Sequence, residues 1–312
     1  MSLLDLPNPL DMPEVQAYYE DVHRFKINHQ FEELKSSKSQ TNFDRLCRRL
    51  TNIDIPLPVL LPYQTLTLEE IKQSVRDILN QLFDNQYKDE IEESLSSIVL
   101  DPIDNPLDAI LEENYKNDQL IGKKIHISNK LSSIEIIALA HEIIHSLLSK
   151  YNGQYYNAHL NNLNYKELLS IVVEYIVCYE LGKNIEDDLS VKQRVNRIWV
   201  CQQNLQESEN MKTILPIIPP ILQPHYQVYK DYIMHNGYKY IIGDVYARRL
   251  LDMYKDDPAT LLKLMSGIIN GDKQVKELIK YYRLSLTDKQ TVYGYYDSME
   301  ETVSLSKKYK KN

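Results

Sequence analysis

Glycine is scarce in this chain: 8 in 312 residues, and none before Gly122. Glycine supplies the positive-φ positions of hairpins and tight turns, so its scarcity argues against an all-β fold and for long helices. Cysteine is just as thin. Cys47, Cys178 and Cys201 lie far apart with no CxxC pair, which excludes a disulfide framework and a cysteine zinc site. No apolar run approaches the ~20 residues of a membrane helix, so no membrane partner is expected. Positive charge does not prevail either. Lys plus Arg number 36 against 44 Asp plus Glu, a net charge of −8, which argues against a large nucleic-acid-binding surface. The opening MSLLDLPNPLDMPE has prolines and aspartates where a secretory signal has a basic stretch. A soluble cytoplasmic protein is the expectation. Apolar residues at 43% and charged residues at 26% are ordinary for a folded globule and exclude intrinsic disorder. Tyrosine carries the aromatic content, 24 against 4 Phe and 1 Trp, which by itself has no functional reading.

The first third reads as helices broken by proline. Residues 13–36 look helical, with Pro13 at a first-turn position. Residues 53–63, IDIPLPVLLPY, are too rich in proline to be anything but extended. Thr67 and Glu70 have capping-box spacing and open a helix, TLEEIKQSVRDILNQLF. A further helix is expected over about 86–98, and the acidic, proline-bearing stretch 101–118 reads as irregular. Residues 120–127, LIGKKIHI, then alternate as a short strand. His126 on that strand is expected at the surface. The strand lies just before the most informative helix and offers a backbone with which an extended substrate could pair.

That helix, IEIIALAHEIIHSLLSKY, opens at a second capping box, Ser132 with Glu135, and is apolar on nearly every side. Such a helix is buried. Two imidazoles and a carboxylate in its middle are costly to desolvate unless something satisfies them. His141-Glu142-Ile143-Ile144-His145 is HExxH. Four residues are about one helical turn, so both imidazoles leave one face and can share a zinc ion, while Glu142 is rotated toward an activated water as general base. Random placement yields on the order of 0.01 such motifs in a chain of this composition. Catalytic zinc takes three protein ligands and leaves one position open. His23, His29 and His159 are poor candidates for the third. Glu174, within the apolar run YKELLSIVVEYIVCYEL, is the stronger one. Glu167, two turns earlier on the same face, is then an outer acceptor for a ligand imidazole. Glu180 points elsewhere.

These residues resemble the zinc oligopeptidases typified by thimet oligopeptidase and oligoendopeptidase F, which are HExxH metallopeptidases of the gluzincin type. HExxH is followed on the next helix by two glutamates seven apart, Glu167 and Glu174. A tyrosine-rich segment follows, Gly237-Tyr238-Lys239-Tyr240-Ile241-Ile242-Gly243, and the C-terminal region ends in short helices with a Gly-containing turn at 266–273. The likeness covers about residue 120 to the C-terminus. It implies a mostly α-helical, zincin-like catalytic domain with a minor β element and one zinc per chain. It also implies Tyr240 and Tyr238 as candidate catalytic phenols for the oxyanion, a role for which only one of a pair two residues apart can readily face the site. His225 and His235 are at best offset substitutes for the family's substrate-contacting histidine. Family members have glycine where Ile144 stands and are longer, which implies a more open cleft here.

The expected organisation is an N-terminal helical region, 1–118, and a zinc peptidase region, 119–312. The expected activity is hydrolysis of peptide bonds in oligopeptides or unstructured segments. The alternatives are a protease narrowly directed at one regulatory protein, or a catalytically weak metal-dependent binding protein, for which an intact Glu142 has no use.

Overall fold

The computed structural model describes residues 34–102, 109–116, 119–152, 165, 167–182 and 188–309, with a few isolated positions before residue 20. Most of the helix expected over 13–36 lies outside the described residues, as do His23, His29 and His159. The fold is mostly α-helical with one small sheet, as the scarcity of glycine implied.

Ser36 starts a helix rather than ending one. Its side chain accepts the Ser39 N–H and caps α1, Ser37–Asn52, which buries Phe43, Leu46 and Leu50. The proline-rich stretch stays irregular apart from one 3₁₀ turn at Pro58–Leu60. The Thr67–Glu70 capping box forms with both of its bonds and opens α2, Leu68–Leu82. A short α3, Lys88–Ser96, follows.

The stretch expected to be irregular after residue 100 contains a strand, and the sheet is larger than a single segment. β1, Ile98–Asp101, runs parallel to β3, Gln119–Ser128, and β2, Ile110–Lys116, pairs with β3 antiparallel. The order is β1-β3-β2. In β2 every second residue is exposed, so the polar residues Glu112, Asn114 and Lys116 on its outer face masked the alternation of a half-buried strand. The strand that was expected to meet substrate is therefore the central one, with a neighbour on either side. The boundary expected near residue 118 falls between the two paired strands β2 and β3.

β3 turns directly into α4, Ser133–Asn152, the HExxH helix. Glu135 accepts the Ser132 backbone N–H at 2.7 Å and its hydroxyl at 2.6 Å. α4 is the centre of the molecule. It packs against α2, β3, α5 (Leu168–Gly182) and α8 (Pro258–Ile269), which is why apolar residues ring it on every side. α5 lies in turn against α6, Asp188–Ile214, and α7, Gln223–Asp256. α9, Val275–Tyr281, and α10, Lys289–Ser306, complete the fold, with α10 against α6 and α7. One continuous core runs from Phe43 to Met299, and a separate small cluster of Met211, Ile218, Tyr226 and Ile233 sits where α6 passes into α7. Gly243 brings α7 close to the first turn of α5: a Cβ there would stand 3.0 Å from Ile171 Cδ1. No helix among the described residues is long and apolar enough to cross a membrane.

Candidate metal centre

His141 and His145 leave the same face of α4, as a four-residue spacing requires. Their rings meet edge to face with centroids 4.7 Å apart, and their Nε2 atoms are 3.0 Å apart. Glu167 closes the triangle. Its Oε2 lies 3.1 Å from His145 Nε2 and 3.3 Å from His141 Nε2. Bonds of about 2.0–2.2 Å to a tetrahedral zinc place ligand atoms roughly 3.3 Å from one another, so these three atoms fit the face of such a site. Among the described residues they form a cluster of His and acidic ligand atoms, all within 4.8 Å of one another, that could hold a metal ion. Glu167 reaches it from the residue just before α5, where its backbone carbonyl accepts the Ile171 N–H at 2.9 Å.

Glu174 occupies a different place from the one expected of it. Its Oε1 stands 2.5 Å from His141 Nδ1, on the far side of that ring from the Nε2 triangle. The same carboxylate is held from α6. Gln193 Nε2 donates to Oε2 at 3.0 Å, Arg197 Nε donates to Oε2 at 2.6 Å, and Arg197 Nη2 donates to Oε1. The spacing of seven puts both glutamates on one helical face, as expected, but the geometry gives Glu167 the imidazole Nε2 atoms and Glu174 the Nδ1. Glu180 is away from both and accepts the Tyr254 hydroxyl.

Buried Arg197 and half-buried Lys239 balance the buried acids. Lys239 Nζ is 3.1 Å from Glu167 Oε1. Burial opposes ionisation of both carboxylates, but Lys239 and the imidazoles hold Glu167 well below the usual carboxylate range, and Arg197 with His141 holds Glu174 below it. For His141 burial acts downward, yet its bonds to Glu167 and Glu174 raise it to about 10. Arg197, Gln193 and Lys239 carried no motif. The available signal was the helical spacing of Gln193 and Arg197 on a helix whose other buried residues include Val191, Val195 and Ile198, and the position of Lys239 between the two tyrosines.

Tyr240 and Tyr238 separate, as their spacing requires. Tyr240 lines a cleft of about 360 Å³ together with His141 and Glu142, walled by Ile110, Ala138 and Val200. Burial, then the charge of Glu167, raises its phenol well above the ordinary value, so it stays a hydrogen-bond donor. Tyr238 packs edge-on against Phe43 with centroids 4.7 Å apart. His126 sits on the sheet between Asp101 (2.5 Å) and Glu112 (3.2 Å). His235 is buried on α7 and His225 is half-buried near its start; neither lines the cleft. A larger trough of about 780 Å³ between α1 and α10 contains none of these residues.

No family model matches the chain, and no curated protein matches it in sequence. Solved structures match in fold. One is described as a putative oligoendopeptidase F from Bacillus anthracis str. Ames, with a TM-score of 0.60 at 14% identity over 93% of this chain and 59% of that one. A second, a putative peptidase from Chlamydophila abortus, gives a TM-score of 0.52 at 13% identity over 96% of this chain and 56% of that one. The chain thus spans less than two thirds of either, and what it shares with them is the fold.

Proposed function

We propose that the protein is a zinc-dependent peptidase in which His141, His145 and Glu167 hold the metal and Glu142 is the general base. The observation that carries this reading is the triangle of two Nε2 atoms and one carboxylate oxygen, with Glu142 on the adjoining cleft. Bound there, zinc would supply Lewis acidity toward a water and a peptide carbonyl. Glu142 takes the proton from the attacking water and passes it to the leaving amine. Tyr240 keeps its proton and donates a hydrogen bond to the carbonyl oxygen as negative charge develops on it. Glu174 accepts the Nδ1–H of His141, which fixes the tautomer that leaves Nε2 free to bind metal.

An extended peptide suits the cleft better than a globular surface. Among the described residues β2 pairs on one side only, and Ala109 and Ile110 at its start line the cleft. Its open edge, rather than that of β3, offers backbone groups to a substrate strand. The test pairs metal analysis with a peptide-library digest of the wild type and Glu142→Gln. The wild type should carry about one zinc per chain and cleave, whereas Glu142→Gln should keep the zinc and lose about 10²–10⁴-fold in rate. Cleavage by Glu142→Gln at the wild-type rate would remove the motif from the chemistry.

A further inference from the structure

Two glutamates seven residues apart stand beside the imidazoles of α4, and each is met by a different cation. Arg197 presents a planar fork to Glu174: Nε bonds Oε2, Nη2 bonds Oε1, and Gln193 adds a further donor to Oε2. With His141 Nδ1 at 2.5 Å from Oε1, both oxygens of Glu174 are engaged. Lys239, a point charge on a flexible stem, meets Glu167 at Oε1 at 3.1 Å and leaves Oε2 facing the two imidazoles. Arginine and lysine differ in this respect: one fork binds both oxygens of a carboxylate, one ammonium need take only one.

We propose that this pair of cations decides which glutamate is the metal ligand, Arg197 by withdrawing Glu174 to His141 and Lys239 by leaving one oxygen of Glu167 available. Arg197 is thus a positioning residue that acts through Glu174. The inference rests on the metal reading given above and deepens it. Arg197 is itself anchored: it lies in the field of Asp244 on α7, and Asp244 accepts the hydroxyls of Tyr175 at 2.9 Å and Tyr295 at 2.6 Å. The His141 imidazole on α4 is thus held by Glu174 of α5, which is in turn held by Gln193 and Arg197 of α6.

The experiment uses Co²⁺ as probe, because its absorption spectrum reports ligand set and coordination number, and reads affinity by chelator competition on the full chain. The wild type should bind about one Co²⁺, and Glu167→Ala should lose it. Arg197→Met should weaken binding about 10–100-fold, as loss of outer support does, and should alter the spectrum. The decisive variant is Arg197→Met combined with Glu167→Ala. Glu174, released from its fork, should replace the missing ligand and restore binding that Glu167→Ala alone lacks. Where Arg197→Met does not fold, Arg197→Lys, which keeps the charge but not the fork, should show the same spectral change and the same partial rescue. An unchanged spectrum and affinity in Arg197→Met or Arg197→Lys would overturn the proposal, as would a double variant as empty as Glu167→Ala. Absence of Co²⁺ binding by the wild type would instead refute the metal reading, and this inference with it.

Discussion

Removing Glu174 and removing Glu167 should have opposite rankings in stability and in metal content. Glu174→Ala takes the acceptor from Arg197 Nε and Nη2, from Gln193 Nε2 and from His141 Nδ1 at once. The guanidinium side chain is 9% exposed, so it is left as a buried charge without its partner, a defect of about 3–5 kcal/mol. Asp244 still supplies some negative field, which places the loss near the lower end, ~3 kcal/mol. At roughly 2 °C per kcal/mol for a chain of this size, Tm should fall by about 6 °C. Glu167→Ala leaves Lys239, whose flexible stem can move and whose ammonium can shed its proton, so the cost should be about 1–2 kcal/mol. Metal follows the reverse order. Glu167→Ala should abolish stoichiometric binding, whereas Glu174→Ala should weaken it about 10–100-fold. Urea unfolding in the presence of chelator gives the first ranking and zinc analysis by mass spectrometry gives the second. The reasoning fails if Glu174→Ala is within ~1 kcal/mol of wild type, or if it strips the metal while Glu167→Ala retains it.

Tyr240→Phe should keep the zinc and lose about 10²-fold in kcat, while Tyr238→Phe, whose ring packs on Phe43, should leave peptide cleavage unchanged; equal effects would deny Tyr240 its role. Glu92 has its carboxyl lowered from 4.5 by its bonds to Arg76, at 2.5 and 3.1 Å. Its contribution is therefore present above the unfolded value and lost as pH falls through the folded one. Glu92→Gln should flatten the acid limb of the stability curve below pH ~4.5 by under about 1 kcal/mol, since the pair is partly solvated; a change confined to neutral pH would contradict this. Cys178 and Cys201 are buried, and burial raises both thiols well above the ordinary value. Both should resist alkylation in the folded protein and react only on unfolding, and rapid native-state labelling of either would show that α5 or α6 opens.

The parts of the site legible in sequence are those set by a single helix. HExxH on α4, and the capping residues Thr67–Glu70 and Ser132–Glu135, depend only on positions one turn apart, and periodicity reports such relations directly. The sharing of one face by Glu167 and Glu174 was legible for the same reason. Which of them reaches the Nε2 atoms was not, because it depends on the packing of Arg197 and Gln193 on α6 and of Lys239 on α7, which the periodicity of α5 does not report. β2 was hidden by its own outer face, where Glu112, Asn114 and Lys116 are exposed and resemble a loop in composition. Among the described residues the unpaired sheet edges belong to β1 and β2, and β3 lies between them.

The interlocking of charges across helices also bears on how the chain reaches its folded state. Glu174 on α5 is balanced by α6, and Glu167 beside α5 is balanced by α7. An intermediate in which α4 and α5 dock without α6 would bury a carboxylate with no guanidinium, and one lacking α7 would bury Glu167 with no ammonium. Each such half-assembled state carries the several kcal/mol of an unpaired buried charge, while apolar docking alone would let the helices add one by one. The ion pairs thus favour cooperative assembly of α4 to α7: these helices come together as a unit, and the cluster of His141, His145 and Glu167 forms with them.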